Sequence, residues 1–390
     1  MIVAALVLAI VVRIATESVP PLSIRRTLGA YVRLAGRAPV ITWPSEGESA
    51  VAVEGLGELG NSGGSTPVPI ASVAKVMTAY LTLIEHPLGG GRDGFLMLVT
   101  AEDVAEEHRR ASLGQSILPV RTGEAITERQ ALEALLLPSA NNIAAMLARH
   151  DAGSIAAFVS LMNTTARKLG MDSTAYTDPS GFEDTTVSTA EDQLKLARVA
   201  IRQRALAAIV DQPSAELPVA GVVPNLDGLV GRNGYVGVKT GSDRAAGGCL
   251  MFAKRVTVAG RRLTILGVVL GQHAGSLIGA ALSGAARLGD SAAASIHLDI
   301  ALPAGTDVLN ARSADGQQTA AAAADTLEEV GWGGLALRLQ VGPRRVASAV
   351  QAGEDLATVT VSGALVARTI AVATRRLGEP GLGWRLRHML

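Results

Sequence analysis

Strand signals stand at both ends of a long helical block, and this arrangement narrows the folds open to the chain more than any other feature. Ala50 to Val53 and Gly55 to Leu59 read as short strands joined through a glycine, and Gly60 to Thr66 is a Gly/Ser/Asn loop. Helices follow. Val73, Val76, Met77, Tyr80, Leu81 and Ile84 recur at three and four, which predicts a helix buried along one side and ended by Pro87. Thr127 with Gln130 forms a capping box for a second helix that stops at Pro138, and a third begins near Asn141 or Asn142. Ser154 opens a fourth helix, with Gly170 as its stop, and Thr189 to Arg202 is a fifth. After Pro224 the texture returns to strand at Tyr235 to Thr240, Cys249 to Val258 and Leu263 to Leu270, the last two joined at Ala259-Gly260 as a hairpin would be. A small-residue helix over about Ser276 to Arg287 closes this part. The expectation is an α+β domain whose sheet is completed by both ends of the segment, over residues 41–289.

Beyond Asp290 the pattern changes. Leu335 to Val341, Leu356 to Val361 and Val366 to Val372 alternate as short strands, so residues 290–390 are expected to form a small β-rich domain. The run Ala320 to Ala324 reads as a helix turn or a loop. Upstream, Ser18 to Pro39 carries Pro and Arg without a clean period, and residues 16–40 are expected to be a linker. Met1 to Val12 is an unbroken aliphatic run, too short for a bilayer span of about 20 residues. It also lacks the basic start and the A-x-A site of a good signal peptide. Residues 1–15 are therefore expected to be a poor signal peptide or the end of a partial membrane anchor, in preference to a buried core helix, because nothing amphipathic follows to pack with it.

Composition removes several functions. Lys plus Arg and Asp plus Glu each number 35, so no global field gathers nucleic acid, and no nucleic-acid partner is expected. The single Cys249 rules out an intrachain disulfide and a Cys-based zinc site. The six histidines, at 86, 108, 150, 273, 297 and 388, show no HExxH or other close ligand spacing, so no metal or cofactor is expected.

Three short motifs carry chemistry. Ser72-Val-Ala-Lys75 lies on the first turn of a buried helix, where an i, i+3 pair shares a face and the helix start favours developing negative charge. Serine needs a base to become a nucleophile, and lysine is one only when burial or a nearby cation lowers its pKa. Alone, this pair is most simply a solvated helix face. Ser139-Ala-Asn141 sits at a helix junction, where the serine can relay a proton and the asparagine amide can bind a peptide group; alone it is most simply a helix N-cap. Lys239-Thr240-Gly241 closes a strand, where a substrate backbone can pair with the edge and the two side chains can hold a carboxylate. Alone it is an edge strand protected by a lysine. The order S-x-x-K, S-x-N, K-T-G, separated by 67 and 100 residues, is the signature of the penicillin-recognising serine enzymes, and each motif falls in the context it needs.

Beyond these motifs, Pro69 to Thr78, Leu135 to Asn142, Thr177-Asp-Pro-Ser-Gly-Phe182, Ser188 to Asp192, and Val238 to Ser242 with Ala246 to Leu250 resemble the D-alanyl-D-alanine carboxypeptidases of serine peptidase family S11, the low-molecular-mass penicillin-binding proteins. The likeness runs from about Trp43 to Leu288. More weakly, Gly353 to Val361 is similar to the β domain that follows in many members. The resemblance implies a penicillin-binding/β-lactamase-like transpeptidase domain, an antiparallel sheet flanked by helices, followed by a small all-β domain. It implies that Ser72 attacks the penultimate D-alanine of a peptidoglycan stem peptide ending in D-Ala-D-Ala, with Lys75 as base and Ser139 as proton relay. It further implies that Asn141 binds the substrate amide, that Lys239 and Thr240 bind the carboxylate beside Gly241, and that the N–H groups of Ser72 and Ser242 form the oxyanion hole. β-Lactams become inhibitors trapped at the acyl-enzyme. Several relatives carry His where Ser242 stands; since a backbone N–H does the work, catalysis is expected to survive.

Three rivals are weighed against this. A class A β-lactamase needs a Glu in an E-x-x-L-N loop between the second and third motifs, and Glu183, Glu191 and Glu216 are not followed by that pattern. A decayed cell-wall-binding protein is disfavoured because every named residue is present. A Ser-His-Asp hydrolase lacks the G-x-S-x-G elbow around Ser72. The expected location is extracytoplasmic, either membrane-associated through the N-terminus or secreted to the cell wall.

Overall fold

The structure, a computed structural model, describes residues 8–9, 11–13, 18–89, 91–344 and 346–388. The expected signal peptide or partial anchor at 1–15 falls mostly outside the described residues. Among those described, no helix is long and apolar enough to cross a membrane.

The chain divides into two units, one of Val40–Ser295 and one that joins residues up to Pro39 with Ile296 onward. The first is built on a five-stranded antiparallel sheet ordered Tyr235–Asp243, Gly247–Val258, Arg261–Gln272, Glu48–Val53, Gly57–Ser62. Both ends of the segment thus meet in one sheet, as the pattern predicts. Arg261–Gln272 is buried at six consecutive positions from Ile265 to Leu270, because helices cover both of its faces. The hairpin at Ala259-Gly260 turns through φ of +46° and +75°, the two-residue geometry that matches strand twist.

Between the sheet halves lie the helices Lys75–Glu85, Ala101–Ser112, Glu128–Leu136, Asn141–Ala152, Ile155–Lys168, Ala190–Ala200 and Arg204–Val210. Their starts follow local chemistry. Thr127 Oγ1 accepts from the Gln130 N–H at 3.2 Å while Gln130 Oε1 accepts from the Thr127 N–H at 3.0 Å, and Ser154 and Thr189 cap the helices that they precede. The helix Lys75–Glu85 differs from its one-sided expectation. Thr78, Ala79 and Leu83 are buried along with Val76 and Met77, and Ile84, placed on the buried side by the pattern, is exposed with Glu85. It runs through the centre of the helical block, so packing on all sides overrides the amphipathic reading.

The second unit contains a seven-stranded antiparallel sheet ordered Ser23–Arg26, Asp307–Arg312, Gln318–Ala323, Ala367–Ala373, Asp355–Ser362, Ala336–Pro343, Tyr31–Arg33. Two expectations need correction here. Residues within the expected linker at 16–40 supply both edge strands of this sheet, Ser23–Arg26 and Tyr31–Arg33. They are short and arginine-rich, as edge strands exposed to solvent tend to be, which hides their strand character in the sequence. The alanine run expected as a helix turn or loop is the strand Gln318–Ala323, paired on both sides and with Ala321 and Ala323 buried. Cross-strand pairing there outweighs the helix preference of alanine.

Candidate active site

Ser72 lies on a short 3-10 turn, Ala71–Ala74, that leads into Lys75–Glu85. The turn is held in an unusual shape. Ala71 has φ of +44°, and the Cα of Gly181 approaches so closely that a Cβ there would sit 1.8 Å from the Ala71 carbonyl oxygen. On its other side Gly241 packs against the same turn: a Cβ on it would stand 2.8 Å from the Ser72 nitrogen and 3.1 Å from that of Val73. The third motif needs glycine because its strand rests on the backbone N–H groups that start the serine turn.

Lys75 is completely buried, and its Nζ lies 2.7 Å from Ser72 Oγ and donates to the Ser180 carbonyl at 2.8 Å. Burial holds this amine well below the usual lysine range, the cations of Lys239 and Arg110 push the same way, and Asp178 opposes them. Ser72 itself is partly exposed, whereas Lys75 is not.

The second motif sits where Glu128–Leu136 gives way to Asn141–Ala152. Ser139 is buried and has φ of +69°, left-handed backbone that non-glycine residues adopt at a cost. It is not the helix cap. The N-cap is Ala140, without a side-chain cap, so the simple capping role does not describe this junction. The two asparagines divide the work. Asn142 donates to the Leu118 carbonyl and accepts from its N–H, both at 2.9 Å, which fixes the junction to the loop beneath. Asn141 donates to Gln115 Oε1 at 2.9 Å, and its buried Oδ1 has no partner.

Lys239, Thr240, Gly241 and Ser242 lie on the edge strand Tyr235–Asp243, whose one neighbour is Gly247–Val258 with Lys239 opposite Met251 and Gly241 opposite Cys249. Strand alternation places Lys239 on the same face as Gly241, toward the serine turn. Its Nζ is buried, donates to the Thr240 carbonyl at 2.9 Å, and is pushed down to about 7 by desolvation, against the pull of Asp227. Thr240 is buried and Ser242 is exposed at the strand's end.

Four residues outside the three motifs support this arrangement. Asp178 accepts from the Ser180 N–H and hydroxyl, the Phe182 N–H and the Thr186 hydroxyl, and so shapes the loop whose Ser180 carbonyl holds Lys75. The Asp-Pro-Ser-Gly turn chemistry was the available signal for it. Gln115 orients Asn141 and has no sequence signal of its own. Asp227, buried near Lys239, and Arg110 set the charge around the two lysines. Arg110, Gln115, Asp178 and Phe182 also line a cavity of about 610 Å³.

The description of D-alanyl-D-alanine carboxypeptidases, peptidase family S11, fits residues 49–274. The chain belongs to that family. This S11 peptidase is 31% identical over 243 residues to a D-alanyl-D-alanine carboxypeptidase of Mycobacterium tuberculosis, covering 60% of the present chain and 78% of that one. It is 32% identical over 201 residues to a D-alanyl-D-alanine endopeptidase of Escherichia coli, covering 47% and 58% respectively. Its fold is shared with the crystal structure of a D-alanyl-D-alanine carboxypeptidase from Francisella tularensis, at a TM-score of 0.61 and 19% identity over 88% of this chain and 96% of that one. The Streptomyces K15 DD-transpeptidase gives a TM-score of 0.56 at 24% identity over 65% and 98%. The penicillin-binding fold expected from the motifs is therefore the fold of this S11 peptidase, and its chemistry is that of a serine DD-peptidase.

Proposed function

We propose that Ser72, Lys75 and Ser139 carry out the removal of the terminal D-alanine from peptidoglycan stem peptides through an acyl-enzyme on Ser72. The observation that carries this reading is the 2.7 Å contact between Ser72 Oγ and the fully buried Lys75 amine. With that amine neutral, the serine hydroxyl donates to its lone pair and can pass its proton there as Oγ attacks the penultimate D-alanine carbonyl. The N–H groups of Ser72 and Ser242 stabilise the oxyanion, consistent with the close approach of the Gly241 strand to the serine turn. Ser139 relays the proton to the leaving amine. The unpartnered Asn141 Oδ1 accepts from a substrate N–H, and the substrate backbone adds to the open edge of Tyr235–Asp243. Lys239 and Thr240 hold the terminal carboxylate. Water then cleaves the ester, and a β-lactam stalls at this step.

The β-lactamase alternative gains no support from Glu191, one of the three glutamates between the second and third motifs. Its carboxylate accepts from Asn61 Nδ2 on the strand Gly57–Ser62, at the far edge of the sheet from Lys239. Acting on peptidoglycan requires an extracytoplasmic location. Attachment to the membrane through the N-terminal apolar run and secretion to the cell wall are both compatible with this reading; cell fractionation distinguishes the two. Ser72→Ala is expected to lower D-alanine release from a D-Ala-D-Ala peptide by at least about a thousandfold. Release that stays at the wild-type rate would remove Ser72 from the mechanism.

A further inference from the structure

We propose that His86, His150 and Asp151 form a binding site for a divalent transition-metal cation of the zinc class, which ties together the far ends of the helices that begin at Lys75 and Asn141. His86 is the C-cap of Lys75–Glu85, and His150 and Asp151 lie in the last turn of Asn141–Ala152. Residues with no ligand spacing in sequence are thereby brought together, their donor atoms all within 4.8 Å of one another.

The chemistry is that of a cation site more than of an ion pair. One carboxylate oxygen, Asp151 Oδ1, stands 2.8 Å from His150 Nδ1 and 3.5 Å from His86 Nε2. A His–Asp pair would account for one imidazole but not for a second converging on the same oxygen. Donors around a four-coordinate zinc, at bonds of about 2.0–2.1 Å, stand about 3.3 Å apart, so modest side-chain adjustment would admit the ion. The other oxygen, Oδ2, accepts from the Thr82 hydroxyl at 2.6 Å, the kind of outer contact that orients a ligating carboxylate. Phe95 holds both rings, stacked on His150 with centroids 3.9 Å apart and edge-on to His86 at 4.8 Å. The Asp151 side chain is 2% exposed, whereas the imidazoles are 34% and 29% exposed, which leaves a path for the ion. A cavity of about 610 Å³ opens beside the group and is lined by His86, Phe95 and Glu128. Glu128 is buried there with Oε1 lacking a hydrogen-bond partner. Two imidazoles and a carboxylate suit zinc, nickel or copper over magnesium or calcium.

This inference does not rest on the peptidase mechanism. Its test is calorimetric titration of zinc chloride into the full chain after chelator treatment, with melting temperature followed in parallel. The expected result is one zinc per chain and a raised Tm. His86→Ala and His150→Ala should each weaken binding at least tenfold, and the double variant should lose both the binding and the Tm response. His108→Ala, at an exposed histidine outside the group, should change neither. Because both rings are partly exposed, the variants should fold, which a circular dichroism spectrum and a metal-free Tm near those of the wild type would verify. No binding at about 100 μM zinc, binding that survives the double variant, or binding lost equally with His108→Ala would overturn the proposal.

Discussion

Two lysine amines share one buried region beside Ser72, and the proposed mechanism asks opposite things of them. Lys75 must be neutral to accept a proton, and burial together with the Lys239 and Arg110 cations favours that state. Lys239 must stay charged to hold a carboxylate, yet burial brings it down to about 7. The sign of the pH dependence follows. As pH rises past about 7, Lys239 loses its proton in the free enzyme, and kcat/KM for a D-Ala-D-Ala peptide should fall about tenfold per pH unit. Lys239→Arg, which keeps its charge, should remove that alkaline fall; an unchanged pH profile would mean that Lys239 does not bind the carboxylate. At this scale the sequence was informative wherever spacing carries geometry. Ser72 and Lys75 are three apart at a helix start, so their contact could be foreseen. Asp178 and Gln115 act through contacts made across loops, and Ala71 and Ser139 through backbone angles, none of which leaves a spacing signal.

The junction between Glu128–Leu136 and Asn141–Ala152 shows how an element boundary becomes a functional feature. Adjacent asparagines there look interchangeable in sequence, and either could be read as the helix start. The structure separates them: Asn142 pairs with both backbone groups of Leu118, while the buried Asn141 Oδ1 has no partner. Asn142→Ala should therefore cost about 2–4 kcal/mol of stability, since it strands a buried N–H and carbonyl. Asn141→Ala should affect stability less and raise KM or lower kcat for the peptide. Chemical denaturation of both variants, alongside peptide kinetics, checks this; equal loss of stability in the two would contradict the division. Helix caps at Thr127, Ser154 and Thr189 were legible because capping is local chemistry. The full burial of Lys75–Glu85 was not, because it depends on which elements surround that helix.

For the whole molecule, the same contrast holds between local and long-range information. The five-stranded sheet was foreseeable because strand signals flank the helical block, and its edge strand delivers Lys239 to the serine turn. The seven-stranded sheet was only half legible, since its edges come from residues 23–33, about three hundred positions before their partners. Arginine-rich edges and an alanine strand mask the periodicity on which a reading of sequence relies. A mean hydropathy of +0.31 in a chain with 3% aromatic residues reflects aliphatic side chains packed through two units, and among the described residues no helix is long and apolar enough to cross a membrane. The central claim is that this molecule makes a covalent acyl-enzyme on Ser72. Incubation of the whole chain with benzylpenicillin, followed by mass spectrometry of the intact protein and its peptides, tests it most directly. One penicilloyl adduct on the peptide containing Ser72, and none on Ser72→Ala, is the result expected. Rapid steady-state hydrolysis of the drug without an adduct, or an adduct on another residue, would contradict it.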